Sequence, residues 1–339
     1  MTRCAAGRYD SCSYNLGTIV SSPTRRAFAL LTLAAALPLS SHAAFPDKQV
    51  RLIVPYSAGG GTDTIARHLA ERLRPRLGQT VIVENKPGAD GIIGTDFVAK
   101  SPADGHTYVL VVTSHLVNPA IKKKMPYDTL KDLVGVTKVA VSPMVLVVNS
   151  EFPASNPKEL AAVLKKDKSK ASYGASENMT RLIGAMYNQR MQLDVTYAPY
   201  KGGAPLMTDI AGNNVGFGVG TLLTAKPLIT AGKIKAIGVT SAKRSPMLPN
   251  TPTLVESGLP DMEVYITYSL YAPAKTPREA LERMQQEVHA VVHTPEMVEI
   301  LAAQAATPVA NSVADFNKEV LQEARLWEKA VKDAGIERE

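Results

Sequence analysis

Apolar and polar positions along the chain follow two patterns. Short apolar runs, such as residues 51–55 and Ile234–Val239, predict buried strands. Between such runs apolar residues recur at every fourth position, as at Ile65, Leu69 and Leu73, which predicts an amphipathic helix. Strands that alternate with helices in this way favour an α/β fold in which mostly parallel sheets are flanked by helices.

The predicted strands fall into two groups along the chain. The pattern divides near Asn149 and again near Tyr265, so we predict one lobe built from residues 44–148 and 266–339. The second lobe, residues 149–265, is inserted between these two segments. A length of 339 residues suits two domains of roughly 150 residues each.

Residues 1–43 have the features of an export signal. Arg25 and Arg26 precede an apolar run of 13 residues, 27–39, which is too short for a bilayer core of about 30 Å. Small residues at Ser41 and Ala43 predict cleavage after Ala43. Paired arginines are typical of a twin-arginine signal, but a Sec signal also carries basic residues there, so both routes stay open. We therefore expect the mature protein in the periplasm.

Composition changes once this leader is removed. The mature chain keeps 34 basic and 30 acidic residues, a mild formal charge of +4 without the clustered basic stripe that nucleic acid needs. Both cysteines, Cys4 and Cys12, leave with the leader, so we expect no disulfide. His289 and His293 are four residues apart, but no third ligand has a matching spacing, so no metal or cofactor is predicted.

The sharpest local motif is the glycine-rich segment 54–63, Val-Pro-Tyr-Ser-Ala-Gly-Gly-Gly-Thr-Asp, between a predicted strand and a predicted helix. Glycines let the backbone approach a ligand, and free N–H groups at a helix start favour an anion. No lysine follows Gly61 and Thr64 replaces the third glycine of a dinucleotide loop, so both nucleotide patterns fail. A glycine-rich connection without a ligand, and a secreted α/β enzyme that uses the loop for phosphate, stay open as alternatives.

An extended set of short motifs resembles the Bug family of periplasmic solute receptors, the binding components of tripartite tricarboxylate transporters. The motifs are, in order, residues 45–48, 53–63, 77–79, 83–89, 118–120, 126–128, 199–203, 239–246, 248–249, 252–253, 256–260 and 272–277.

The resemblance implies a two-lobed periplasmic binding protein of the type II-like, Venus-flytrap kind, and not an enzyme. It implies capture of a small carboxylate, an organic or amino acid, between the lobes of a monomer, without a cofactor. Its partners would be membrane permease subunits, or a sensor domain if the protein signals without transport. The ligand-binding residues implied are Tyr56, Ser57, Ala58, Gly59, Gly60, Thr62, Asp63, Thr113, Ser114, Ser176, Asn178, Thr180, Arg181, Tyr200 and Thr221.

The second of the two loops expected to hold the ligand, residues 173–182, departs from the family pattern. It is about two residues shorter, and Glu177 and Met179 occupy a region that is usually small and neutral. Arg181 stands where histidine is common, and Gly218–Thr221 replaces a stretch that often carries an aspartate. Arg181 would either hold a second ligand carboxylate through paired donors or face solvent beside Glu177.

Overall fold

The computed structural model describes residues 45–339; the predicted leader lies outside these residues. The strands are β1 (Val50–Val54), β2 (Val81–Asn85), β3 (Thr107–Val112), β4 (Leu133–Asn149), β5 (Ser172–Ala175), β6 (Thr196–Pro199), β7 (Phe217–Thr221), β8 (Ile234–Val239), β9 (Tyr265–Pro273) and β10 (Thr307–Pro308). The α-helices are α1 (Gly61–Leu77), α2 (Ile92–Ala99), α3 (Ser114–Ile121), α4 (Pro157–Lys166), α5 (Asn178–Arg190), α6 (Gly203–Ala211), α7 (Leu222–Thr230), α8 (Arg278–Val292), α9 (Pro295–Ala303) and α10 (Val313–Asp333).

The strands form two connected sheets that share β4. In the first sheet β2, β1 and β3 are parallel, and β9 runs antiparallel between β3 and β4. In the second sheet β5 lies parallel to β6 and β7, while β7 and β8 run antiparallel to β4. The predicted α/β class with helix-flanked sheets is confirmed, and the sheets are mixed rather than parallel throughout because β4 and β9 return against their neighbours.

Strand β4 passes from one sheet to the other along its length. Its residues 133–143 pair with β9, and its residues 144–149 pair with β7 and β8. The sequence pattern predicted only the second part, because two register shifts, at Gly135/Thr137 and Lys138/Ala140, interrupt the alternation of the first part. The division between the sheets therefore falls at Pro143 and Met144.

Helix α1 packs on the first sheet through the face that the spacing predicted. Ile65, Leu69, Leu73 and Leu77 are all buried in the core. The helix ends at Gly78, whose left-handed backbone (φ 66°) donates its N–H to the carbonyl of Arg74. This packing fixes the amino end of α1 at the carboxyl edge of the parallel strands, where ligands of open α/β sheets bind.

Candidate ligand-binding cleft

Connections from both sheets meet at the carboxyl ends of the parallel strands. A Cβ placed on Gly61, the first residue of α1, would lie 3.0 Å from a methyl carbon of Leu223 in α7. Ser114, which opens α3, donates a hydrogen bond of 3.1 Å to Glu177 Oε2 just before α5. The helix starts of the two sheets therefore meet at this edge, and we call the region between them the cleft.

The glycine-rich loop presents an uncapped helix start to this cleft. Gly59 has a left-handed backbone (φ 82°), whereas Gly60 is extended (φ −76°, ψ 169°), a conformation open to any residue. Ser57, Ala58, Gly59 and Gly60 are exposed, and no side chain caps α1. The N–H groups of the first turn are thus available to an anion.

The carboxylate of Asp63 stabilises the glycine-rich loop through three hydrogen bonds. Its carboxylate accepts hydrogen bonds of 2.9 Å each from the Gly59 N–H, Arg67 Nε and Asn85 Nδ2. Burial raises the pKa of Asp63, but these hydrogen bonds lower it by more, so the pKa lies below its usual value. Asp63 holds the loop in shape through its charge, and the neighbouring Thr62 is buried beside it.

Thr113 and Ser114 come directly after β3, where α3 begins. Thr113 Oγ1 accepts a hydrogen bond of 2.8 Å from the Thr267 N–H and lies 3.1 Å from Thr267 Oγ1. Ser114 Oγ accepts a longer one, 3.3 Å, from the Met179 N–H. Thr113 therefore fixes β9, and Ser114 meets the second loop.

The start of α5 is held by groups from the other sheet. The Asn178 N–H donates to Asp90 Oδ2 at 2.8 Å, and Asn178 Nδ2 donates to Asn118 Oδ1 at 2.8 Å. Thr180 Oγ1 donates to the Glu177 carbonyl at 2.9 Å, and Ser176 is half-buried at the end of β5. The second loop is thus held by residues 90 and 118, which belong to the connections of the first sheet.

Arg181 does not face solvent beside Glu177, which was one of the two surroundings considered from the sequence. Its guanidinium lies 3.2 Å from Glu339 Oε2 and 4.9 Å from the centre of the Tyr197 ring. Its side chain is 15% exposed. Arg181 therefore lies in the groove between α5 and the C-terminal segment, with a carboxylate partner of its own.

Tyr200 and Thr221 have structural partners near the cleft. Tyr200 Oη donates to Asp209 Oδ2 at 2.8 Å, and its ring covers Gly174. Thr221 caps α7 by accepting a hydrogen bond of 3.4 Å from the Thr224 N–H. The hydroxyl of Tyr56 accepts a hydrogen bond of 3.3 Å from the Val112 N–H and stays protonated, because burial raises its pKa well above the usual value.

Two half-buried acids, Asp90 and Glu177, lie in the cleft. Burial, then the charge of Asp90, raises the pKa of Glu177 to about 7, although the Ser114 hydrogen bond lowers it. Burial raises the pKa of Asp90 to about 6, opposed by the Asn178 hydrogen bond. Asp90 has a left-handed backbone (φ 53°), which aspartate tolerates better than most residues. The site list drawn from the sequence lacked both acids.

Comparison with known proteins agrees with this geometry. The profile of the family described as "Tripartite tricarboxylate transporter family receptor" matches residues 65–336. BugT of Bordetella pertussis is 31% identical over 310 residues, which cover 90% of this chain and 95% of BugT.

Solved structures of binding proteins share the fold. BugD, a periplasmic binding protein, is 34% identical with a TM-score of 0.78, covering 87% of this chain and 100% of BugD. A Rhodopseudomonas palustris protein solved with adipate is 32% identical with a TM-score of 0.80, over 87% of this chain and 100% of its own. MatC from the same species, solved with malate, is 26% identical with a TM-score of 0.76, over 85% and 100%. The chain therefore belongs to the tripartite tricarboxylate transporter receptor family, among the Bug proteins.

Proposed function

We propose that this protein is an extracytoplasmic receptor that captures a small carboxylate between its two lobes. The observation that carries the proposal is the uncapped start of α1 behind the glycine-rich loop, which offers backbone N–H donors to an anion within the cleft. Relatives solved with adipate and with malate support a carboxylate as the anion.

Closure of the cleft is the mechanism proposed. The hydrogen bonds from Ser114 to Glu177 and from Asn178 to Asp90 join the two sheets, so they belong to a closed arrangement. A ligand that meets both the α1 start and the α5 start favours that arrangement over an open one. We place the lobes at residues 44–148 with 266–339 and at 149–265, with closure about the connecting strands.

We further propose that the protein works in the periplasm as a monomer, after export by its leader. It would deliver its ligand to a permease of the tripartite tricarboxylate type or to a sensor domain, and it would catalyse no reaction. Among residues 45–339, no helix is both long enough and apolar enough to cross a membrane.

The test is a thermal-shift screen of residues 44–339 against organic and amino acids, followed by titration calorimetry of each hit. A receptor of this kind gains stability with increasing ligand concentration. At least one small carboxylate is expected to bind with a one-to-one stoichiometry. If phosphate esters stabilise the protein or are hydrolysed, and no carboxylate binds, the proposal is overturned.

A further inference from the structure

Asp90 and Glu177 place two carboxyl groups next to each other at the start of α5. Glu177 Oε2 accepts the hydrogen bond of Ser114, and Asp90 Oδ2 accepts that of the Asn178 N–H. Both residues are half-buried, and the charge of Asp90 disfavours the charge of Glu177. Two carboxylates held close together in a partly buried site are unfavourable unless a cation pairs with them.

The cations near this pair are engaged elsewhere. Lys122 and Arg181 both pair with Glu339 at the outer side of α3 and α5. Within residues 45–339, no salt bridge includes Asp90 or Glu177. The charge of Lys122 lowers the pKa of Asp90 from beyond salt-bridge distance, but no cation among residues 45–339 forms an ion pair with either acid.

An independent observation comes from Gln304, at the end of α9. The residue is only 5% exposed, and its Oε1 atom has no hydrogen-bond partner among the described residues. Gly61 has no Cβ, but a Cβ built on its backbone would lie 3.2 Å from this oxygen and 3.5 Å from the Tyr268 hydroxyl. An unpaired amide oxygen therefore faces the glycine-rich loop.

The same space connects Gln304 with the acidic pair. Ser114, which donates to Glu177, follows Thr113 in the chain, and Thr113 accepts a hydrogen bond from Thr267, the residue before Tyr268. The charge of Glu177 also contributes, after burial, to raising the pKa of Tyr268. Gln304 Oε1 and the Tyr268 hydroxyl thus lie near Gly61, and the Glu177 carboxylate lies at Ser114 on the other side of the cleft. Buried acceptors of this kind call for a hydrogen-bond donor.

We propose, building on the function proposed above, that the captured solute carries an ammonium group as well as its carboxylate, and that Glu177 and Gln304 hold this ammonium. The carboxylate meets the N–H groups at the start of α1, and the ammonium gives N–H donors to the acceptors across the cleft. A second ligand carboxylate at that position would meet Asp90 and Glu177 and be repelled. The structure thus points to amino acids over dicarboxylates.

The test compares ligands that are matched in length. Calorimetry on residues 44–339 would use four sets. Two are triplets: butanoate, succinate and 4-aminobutanoate; and hexanoate, adipate and 6-aminohexanoate. Two are pairs: succinate with aspartate, and glutarate with glutamate. In at least one set, the compound with the amino group is expected to bind at least ten times more tightly than every other compound of that set.

Two variants assign this preference to residues. Glu177→Gln removes the charge and keeps the shape, and it is expected to weaken amino-acid binding at least tenfold while changing monocarboxylate binding little. Gln304→Met removes the unpaired acceptor and is expected to reduce the same preference. Glu151→Gln, at an exposed residue, serves as the matched control.

The outcomes separate the two proposals. If carboxylates bind but the amino compounds have no advantage, or if both variants keep the full preference, the ammonium site is refuted and the receptor function stands. If no carboxylate of any kind binds, the receptor function fails and the ammonium site fails with it. Should Glu177→Gln not fold, the selectivity of the unaltered protein and of Gln304→Met decides the question.

Discussion

At the scale of single residues, Asp63 has the clearest task. One carboxylate ties the backbone of Gly59 to side chains of α1 and β2. Asp63→Ala leaves these donors without their charged partner, and we expect the free energy of unfolding to fall by about 2–4 kcal/mol at pH 7. Urea denaturation measures this loss, and Asp261→Ala, at an exposed residue, should change stability far less.

The pH dependence of the Asp63 contribution follows from its lowered pKa. A lowered pKa means that the folded state binds this proton more weakly than the unfolded state does. Its stabilisation is therefore present above about pH 4 and is lost as the pH falls through the folded pKa. A deficit in Asp63→Ala that stayed equally large below that pKa would contradict this role.

Arg181 gives a second prediction at this scale. Because its guanidinium already faces Glu339 and Tyr197, Arg181→Ala is expected to change the affinities for monocarboxylates and dicarboxylates alike, each by less than about fivefold. Calorimetry with hexanoate and adipate checks this directly. A large loss for the dicarboxylate alone would show that Arg181 meets the ligand after all.

Candidate site residues that lie within one local motif could be predicted from the sequence, whereas residues that contact each other across the cleft could not. The glycine-rich loop was found from its motif, and Ser114 and the start of α5 from the family resemblance; their contact with the ligand stays a prediction. Asp90, Asn118 and Gln304 could not, because their partners are far away in sequence and depend on how the two sheets meet. The only local signal was an aspartate between two glycines, Gly88 and Gly91, in a predicted turn.

At the scale of elements, two substitutions in the glycine-rich loop distinguish a loss of stability through backbone strain from a loss of ligand binding through steric hindrance. Gly59→Val forces a branched side chain into a left-handed backbone and is expected to cost about 1–3 kcal/mol of stability. Residue 60 has an extended backbone, and a Cβ there would lie 3.5 Å from the Ser57 carbonyl oxygen, so the Gly60→Val protein should fold normally. Its valine side chain should weaken ligand binding by covering the loop.

Thermal denaturation and calorimetry together check these two variants. Gly232→Val, in a left-handed position outside the cleft, controls for backbone strain, since it should lose stability and keep full affinity. Unchanged affinity in a stable Gly60→Val protein would place the ligand away from this loop.

The start of α5 predicts a pH effect of the opposite sign. The raised pKa values of Glu177, about 7, and Asp90, about 6, mean that the folded state binds more protons than the unfolded state. These two acids therefore lower stability as the pH rises from about 4.5 to about 7. Glu177→Gln should raise the melting temperature of the ligand-free protein at pH 7.5 and change it little at pH 5.

Melting temperatures of both proteins at the two pH values check the prediction as a difference. The comparison cancels other titrations, including that of His115, whose pKa burial lowers to about 3. Lys122, whose charge lowers the pKa of Asp90, and the hydroxyls of Tyr56 and Tyr268 are present in both proteins. An equal difference at both pH values would mean that the pair is not strained.

At the scale of the whole molecule, the element order was predictable and the connection of the two sheets was not. Helix α4 and strand β8 occur with the predicted bounds, because their patterns are regular. The shared strand β4 was predicted only in its second part, because bulges break the rhythm of its first part. That shared strand gives the protein two sheets that face each other across one cleft.

The central claim is that the glycine-rich loop holds a ligand carboxylate at the start of α1. The most direct measurement is a crystal structure of residues 44–339 grown with the tightest-binding acid. The account predicts a ligand carboxylate oxygen within about 3.2 Å of backbone N–H groups between Ser57 and Thr62. A ligand bound outside this cleft, or one that turns another group toward the loop, would contradict it.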